Sequence, residues 1–541
     1  MTGFAGTLAL TRLALRLDRI RLPIWLLALA TMAAASAGSI ADLYPTESDR
    51  LGYATTTAVN VVARAFNGTL SSPSLGAIVM VEIFTFLSLF AALLSTQTVV
   101  RHTRLEEETG RAEMIGSSVV GRFASLTAAL LVMAGTNLAL AALIALALVA
   151  NGLAVTGSLA AGAAIGTAGM AFGALAAVAA QVMEGSRAAN GTAATIIGAA
   201  FLLRATGDAL GDVADNGTEV TSAWPAWLSP FGWAVQARPF SDERWAAFVP
   251  LGLLIVAAVV GASLLSGRRD VGSGLLRTSR GPAAAPRSLR NPLGLAWRLQ
   301  RGVLIGWSVA VIVLSVSYGA VANEINTVVG DNEQMRELMN QLGGSENLVK
   351  GYLAFIMVIF GLVVSGYAVQ SLQRLRGEEA GGPLESVLAT AVSRPAWLGS
   401  HLTCALLGAT WLLALSGAGA GLAYGLIVDD PAYQTATMLR AGLVQLPAVA
   451  VIVGFAVAAF GLVPQRSIAL AWSAFAVSVV VVYLGPLLDL PQWTMDISPF
   501  THLPAVPVDA ITAKPLLVLS AVGVALGVIG FAAFRRRDLR L

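Results

Sequence analysis

Residues 104–122 read RLEEETGRAEMIGSSVVGR, and residues 376–394 read RGEEAGGPLESVLATAVSR. Arg104, Glu106, Glu107, Gly110, Glu113, Val120 and Arg122 fall without a gap on Arg376, Glu378, Glu379, Gly382, Glu385, Val392 and Arg394. Each copy follows one long apolar run and precedes another, so the block marks the same place in two similar halves. Outward from it, Arg16-Leu17, Arg19 and Trp25 recur as Arg298-Leu299, Arg301 and Trp307, while Val178-Ala179-Ala180 and Arg187 recur as Val457-Ala458-Ala459 and Arg466. Ser229-Pro230-Phe231 recurs as Ser498-Pro499-Phe500, and Arg268-Arg269-Asp270 as Arg536-Arg537-Asp538. Five co-linear matches spread over the chain indicate an internal duplication.

The composition says what each half is. Of 541 residues, 56 % are hydrophobic and 12 % charged, with a mean hydropathy of +0.75. A soluble domain carries roughly 25 % charged residues. At roughly 20 apolar residues per crossing, this length suits about a dozen spans. Apolar runs fall near 23–41, 77–100, 124–150, 155–181, 190–206 and 246–266, then near 303–322, 351–371, 398–420, 438–463, 467–488 and 515–534. The reading is an all-α polytopic membrane protein with twelve transmembrane helices in two six-span repeats, 23–266 and 297–541. An even span count makes the repeats parallel, related by an axis along the membrane normal. Residues 267–296, rich in Gly, Ser, Pro and Arg, read as a linker. Residues 1–22 read as an amphipathic interfacial helix, with Arg12, Arg16 and Arg19 on one stripe and Leu13, Leu17 and Ile20 on another.

Arginine bias sets the expected orientation. Segments 101–122, 267–301, 372–394 and 535–540 are arginine-rich and share a side with the N-terminus. Acidic residues mark the other side: Asp42, Glu47 and Asp49; Asp208, Asp212, Asp215 and Glu219; Glu324, Asp331, Glu333 and Glu337; Asp429 and Asp430. Both termini are expected in the cytoplasm. The sequence pI of 9.2 reflects this arginine rim and points to no nucleic acid. One cysteine, Cys404, and three scattered histidines, His102, His401 and His502, exclude a disulfide framework and a cysteine or histidine metal centre.

The repeated block departs from its surroundings because it puts carboxylates on an arginine-rich side. As one helix, it would set Glu106, Gly110 and Glu113 on one face, with Glu107 and Arg111 paired at i,i+4 on the next. An amphipathic helix with fixed charges, and with Met114 and Ile115 for apolar contact, suits docking into a cleft of a soluble partner.

This arrangement resembles the permease subunits of ABC-2 type ABC exporters. The interfacial first helix, six-span unit, EE-x-x-G-x-x-E block and Ser-Pro-Phe before the last span carry the resemblance. The duplicated form is most similar to actinobacterial polyketide-antibiotic (tetronasin-resistance type) and mycobacterial multidrug efflux permeases. The resemblance implies that 103–118 and 375–390 are coupling helices, with Arg104, Glu106, Glu107, Gly110, Arg111 and Glu113 in the first. Arg376, Glu378, Glu379, Gly382 and Glu385 carry the second, which Gly381-Gly382-Pro383 should weaken or shorten. Glu184, Arg187 and Arg466 would be secondary contacts. Two copies of a separate ABC ATPase subunit would bind ATP and Mg, and the chain itself would hold no cofactor. It has no G-x-x-x-x-G-K-[ST] phosphate loop, so it is not expected to be an enzyme in its own right. One chain would serve as a pseudo-dimer and move hydrophobic or amphipathic compounds outward between its halves, along a path lined by the second and fifth spans of each.

Some single residues carry two readings. Glu82, inside the second span, is a pathway or proton-relay carboxylate, or an interface residue paired with Arg64. Arg204 faces cargo or pairs with Asp208 or Asp212. The stretches 222–240 and 490–510, with Pro230, Phe231, Pro499 and Phe500, read as outer hairpins capping the exit or as an aromatic belt. Two other classes compete with the exporter. A twelve-span secondary transporter would need coupling charges at mid-membrane, where only Glu82 stands. A lipid-processing enzyme would need clustered carboxylates, and Asp208-x-x-x-Asp212 is read instead as a solvated loop.

Overall fold

The computed structural model describes residues 3–276, 284–322, 345–484 and 491–538. The expected acidic positions Glu324, Asp331, Glu333 and Glu337 lie outside the described residues, as do 277–283 of the linker and residue 490 of the second hairpin. The chain divides into two compact units, Met1–Arg280 and Gly281–Leu541, and the division falls in the expected linker.

Among the described residues, eleven helices are long and apolar enough to cross a membrane. A twelfth apolar helix, Ser467–Leu484, stands where the eleventh span was expected. Helices prevail because lipid offers no partner to a backbone amide, so each must be satisfied within its own segment. Several run past their apolar cores: the second span continues to Glu108, the seventh begins at Pro292, and the ninth fills Arg394–Ile427. The tenth is interrupted at Gln445, between Pro431–Val444 and Leu446–Leu462. Strand structure in unit 1 is one two-residue pairing, Asp212–Val213 with Val220–Thr221.

The duplication is visible in how deeply each helix is buried. Along the first unit the buried share of the six spans runs 17, 72, 44, 72, 28 and 17 %. In the second unit it runs 22, 72, 44 and 67 % over the first four, with 17 % for the last. The second and fourth spans of each unit are therefore its core. Small residues allow the close approach this requires. A Cβ at Gly162 would stand 2.2 Å from the Ala141 carbonyl oxygen, and one at Gly454 would stand 2.4 Å from that of Gly523.

Candidate functional site at the arginine-rich end

In the first unit the second span is α-helical over Leu75–Val100, widens to a π-turn over Arg101–Leu105, and closes with Glu106–Glu108. Gly110 then takes a left-handed conformation (φ 74°), and a separate helix, Arg111–Gly116, follows. Gly382 does the same in the second unit (φ 90°) before the helix Pro383–Leu388. The single helix expected over 103–118 is thus two pieces joined at a corner, and Glu106, Gly110 and Glu113 share no continuous face. Nor is the second copy shortened. Both helices have six residues, and Pro383 sits at the first position, where its missing N–H would have had no partner. A Cβ at Gly110 or Gly382 would meet nothing within 4 Å, so alanine there costs only the backbone strain. We expect about 1–2 kcal/mol for each, measured as faster hydrogen exchange across 106–116 or 378–388.

The corner is fastened from behind. Arg104 is fully buried and donates from Nη1 to Glu107 Oε2 at 2.7 Å and from Nε to the Ala180 carbonyl at 3.0 Å. Arg269, just past the sixth span, donates to both oxygens of Glu107 at 2.5 and 2.8 Å and to Gln181 Oε1 at 2.7 Å. The second unit repeats this clasp. Glu379 takes Arg537 Nη2 at 2.6 Å and Arg376 Nη1 at 3.3 Å, and Arg537 also donates to the Phe460 carbonyl at 3.0 Å. Arg122 and Arg394 add a matching tie, each donating to backbone carbonyls at the end of its unit's last span. Arg104, Glu107, Arg376 and Glu379 thus face inward, which explains why the repeat keeps both halves of a charge pair 162 residues apart in the first unit and 158 in the second.

The outward face is narrower than the sequence suggested. Arg111, Glu113 and Met114 are exposed, as is Glu385, while Leu384 beside it is buried. Glu106 is partly covered and takes Arg111 Nη1 at 3.3 Å, and Glu378 is buried against Arg374 at 2.7 Å. Arg187 and Arg466 are exposed. Glu108 escaped the sequence reading because its aligned partner is Ala380. Its carboxylate accepts the Ser186 backbone N–H at 3.1 Å and the Ser186 hydroxyl, joining the repeated segment to the first turn of the helix Ser186–Ala209, which carries Arg187.

Two of the three histidines are buried and partnered. His102 bonds Asp18 at 2.7 Å. Asp18, fully buried between the helix Thr7–Leu17 and the first span, also takes Arg101 at 3.3 Å. His401 bonds Gln300, which aligns with Asp18, at 3.1 Å. His502 Nε2 lies 2.9 Å from the Asp496 carbonyl, and Cys404 is a buried core residue.

At the opposite, acidic end Glu82 takes Tyr53 Oη at 2.5 Å and Asn67 Nδ2 at 3.4 Å. The expected partner Arg64 donates instead to the Gly211 carbonyl at 2.8 Å. Burial, then the charge of Glu82, holds the Tyr53 phenol well above its ordinary pKa, so it stays a donor. Arg204 pairs with Asp208 at 3.2 Å. Asp208 is 1 % exposed, so the 208–212 pair is not a solvated loop; Asp212 alone is. In both hairpins the serine of Ser-Pro-Phe caps a short helix, proline occupies its first turn, and phenylalanine is buried. Phe231 packs 4.5 Å from Phe172 between ring centres, while Trp224 and Trp227 stay exposed, so the hairpin also supplies an aromatic fringe. Ser229 Oγ further donates to the Ala200 carbonyl at 2.7 Å. Ser229→Ala should cost about 1 kcal/mol in thermal stability.

Two units of apolar helices, each with its own ion-pair clasp, define a multi-pass membrane protein. Residues 289–535 match the family described as multidrug efflux system permease Rv1217c, C-terminal domain. The whole chain is 41 % identical over 542 residues to the multidrug efflux system permease protein Rv1217c of Mycobacterium tuberculosis, covering 100 % of this chain and 96 % of that one. The chain belongs to the family of Rv1217c-type multidrug efflux permeases.

Proposed function

We propose that the chain is the membrane-spanning subunit of an ATP-driven exporter of the ABC-2, tetronasin-resistance type in a bacterial inner membrane. It moves drugs, polyketide antibiotics or other amphipathic compounds outward. ATP and Mg are bound by two copies of a separate ATPase, which dock on the exposed faces around Arg111, Glu113 and Met114 and around Glu385. Both termini are cytoplasmic, and the two halves act as the two subunits of a dimer, with the cargo path between them.

The observation that carries this reading is the repeated clasp. A segment exposed on one side and ion-paired to the end of the last span on the other passes a push to that span as one body. A gradient-driven transporter has no use for such a device, and it needs coupling charges among the spans. Glu82, the candidate for that role, is held by a phenol and an amide.

The test is turnover of the permease purified together with its ATPase. We expect Glu113→Ala with Glu385→Ala to leave the melting temperature unchanged and to remove most drug-stimulated ATP hydrolysis. Unchanged stimulation in that double variant would refute the docking assignment.

A further inference from the structure

We propose that the first half holds a binding pocket for planar aromatic amines at its arginine-rich end, which the second half has closed with its own side chains. A cavity of about 210 Å³ lies between the helix Thr7–Leu17, the repeated segment and the third span. Leu10, Leu13, Leu17 and Ile115 form its apolar wall, and Leu13 and Leu17 are 42 % and 49 % exposed at its mouth. Glu106 lines it on the polar side.

The register of the duplication shows what is missing there. Aligning Arg122 with Arg394 puts Ser125 on Trp397 and Ala129 on His401. Aligning Ala180 with Ala459 puts Gln181 on Phe460, and aligning Arg269 with Arg537 puts Ser266 on Phe534. Ser125, Ala129, Gln181 and Ser266 all border the first unit's cavity. Their four counterparts form one buried stack in the second unit, Trp397 standing 5.2 Å from His401, 6.3 Å from Phe460 and 5.7 Å from Phe534. Side chains without rings, three of them small, stand in the first half where rings fill the second.

The carboxylate at the end of this space differs in the same sense. Glu378 receives Arg374 Nε at 2.7 Å and the indole N–H of Trp397 at 3.3 Å. In the first half these two donors become His102, which is turned to Asp18, and Ser125. Among the described residues Glu106 keeps only Arg111, whose side chain is 58 % exposed. The other cations around the cavity are committed: Arg269 to Glu107 and Gln181, and Arg122 to backbone carbonyls. Trp397 is thus a built-in likeness of the ligand, a flat apolar ring with an N–H aimed at a carboxylate. A free ligand of this kind gains further if it is cationic, because a charge-assisted hydrogen bond is roughly twice as strong as a neutral one. Its ring lies where Trp397 lies, and an N–H of its delocalised cation meets Glu106.

The inference rests on the exporter reading only for placing the pocket on the cytoplasmic side. Binding itself requires neither ATPase nor ATP, so an exporter that takes no amine here would overturn this inference alone. A chain that binds the amine yet exports without an ATPase would overturn the exporter reading alone.

The experiment is fluorescence titration of 9-aminoacridine on the purified full-length chain in lipid nanodiscs at pH 7.5, without nucleotide. Acridine serves as the uncharged isostere and anthracene-9-carboxylate as the anionic one. We expect one saturable site per chain, at least tenfold weaker binding of both isosteres, and at least tenfold weaker 9-aminoacridine binding to Ser125→Trp. Glu106→Gln, which alters no buried packing, should weaken it to the same degree while the melting temperature holds, and Glu385→Ala should bind normally. Non-saturable partitioning, a preference for the anion, or wild-type binding in Glu106→Gln would overturn the proposal.

Discussion

Arg204→Ala should be the most damaging single change at the acidic end, lowering the melting temperature of the purified chain on the order of 10 °C. Arg204 and Asp208 are each 1 % exposed and 3.2 Å apart, and Arg204 Nη2 also donates to the carbonyls of Ala65 and Phe66 at 3.3 and 2.9 Å. Alanine leaves Asp208 as a buried carboxylate whose remaining donor is the Ser222 hydroxyl at 2.6 Å, and it orphans two carbonyls. Stripping one member from a buried pair costs about 3–5 kcal/mol. Removing both charges, Arg204→Ala with Asp208→Ala, should be milder than the sum of the single changes, because the second deletion removes the charge stranded by the first. Strict additivity in thermal melts would show that the pair is not coupled.

Glu107→Ala should be comparably severe at the other end, for a reason unrelated to docking. Its carboxylate lies between Arg104, which is fully buried, and Arg269, whose side chain is 7 % exposed. Without it two guanidinium groups face each other, and the Gly272 amide loses its acceptor at 3.2 Å. The cost is about 3 kcal/mol or more. It should appear as a lower melting temperature and as faster hydrogen exchange in 268–276, far along the chain. Glu379→Ala should do the same for 534–538. Glu113→Ala, on the exposed face, should leave both quantities unchanged. A Glu107→Ala variant as stable as wild type would mean the clasp does not hold.

Much of this was legible in the sequence, and the reasons differ from element to element. The spans were readable because hydropathy in lipid is a one-dimensional signal, and their ends were missed where Glu106–Glu108 or Pro292 prolongs a helix beyond the apolar run. The repeat alignment contained every member of the clasp, Arg104, Glu107, Arg269 and their counterparts, without showing that they touch. Their pairing depends on how the sixth span returns beside the fourth, which no local pattern encodes. Reading 103–118 as one helix failed at Gly110, where the matched glycine signalled positive φ and was taken as a helix position. Asp208 was read as solvated because nothing local shows that Arg204, one turn earlier, is buried with it. The contrast of Ser125 with Trp397 was also in the alignment. Unlike residues inside an otherwise matched block were the available signal for the cavity.

The central claim is that a separate ATPase supplies the energy and delivers it through the repeated segment. The most direct measurement is ATP-dependent drug transport by the permease–ATPase complex in proteoliposomes, with the proton gradient collapsed by an ionophore. We predict transport that persists with the ionophore, stops without ATP, and falls to background in Glu113→Ala with Glu385→Ala. Transport by the permease alone that vanishes with the proton gradient would contradict the claim.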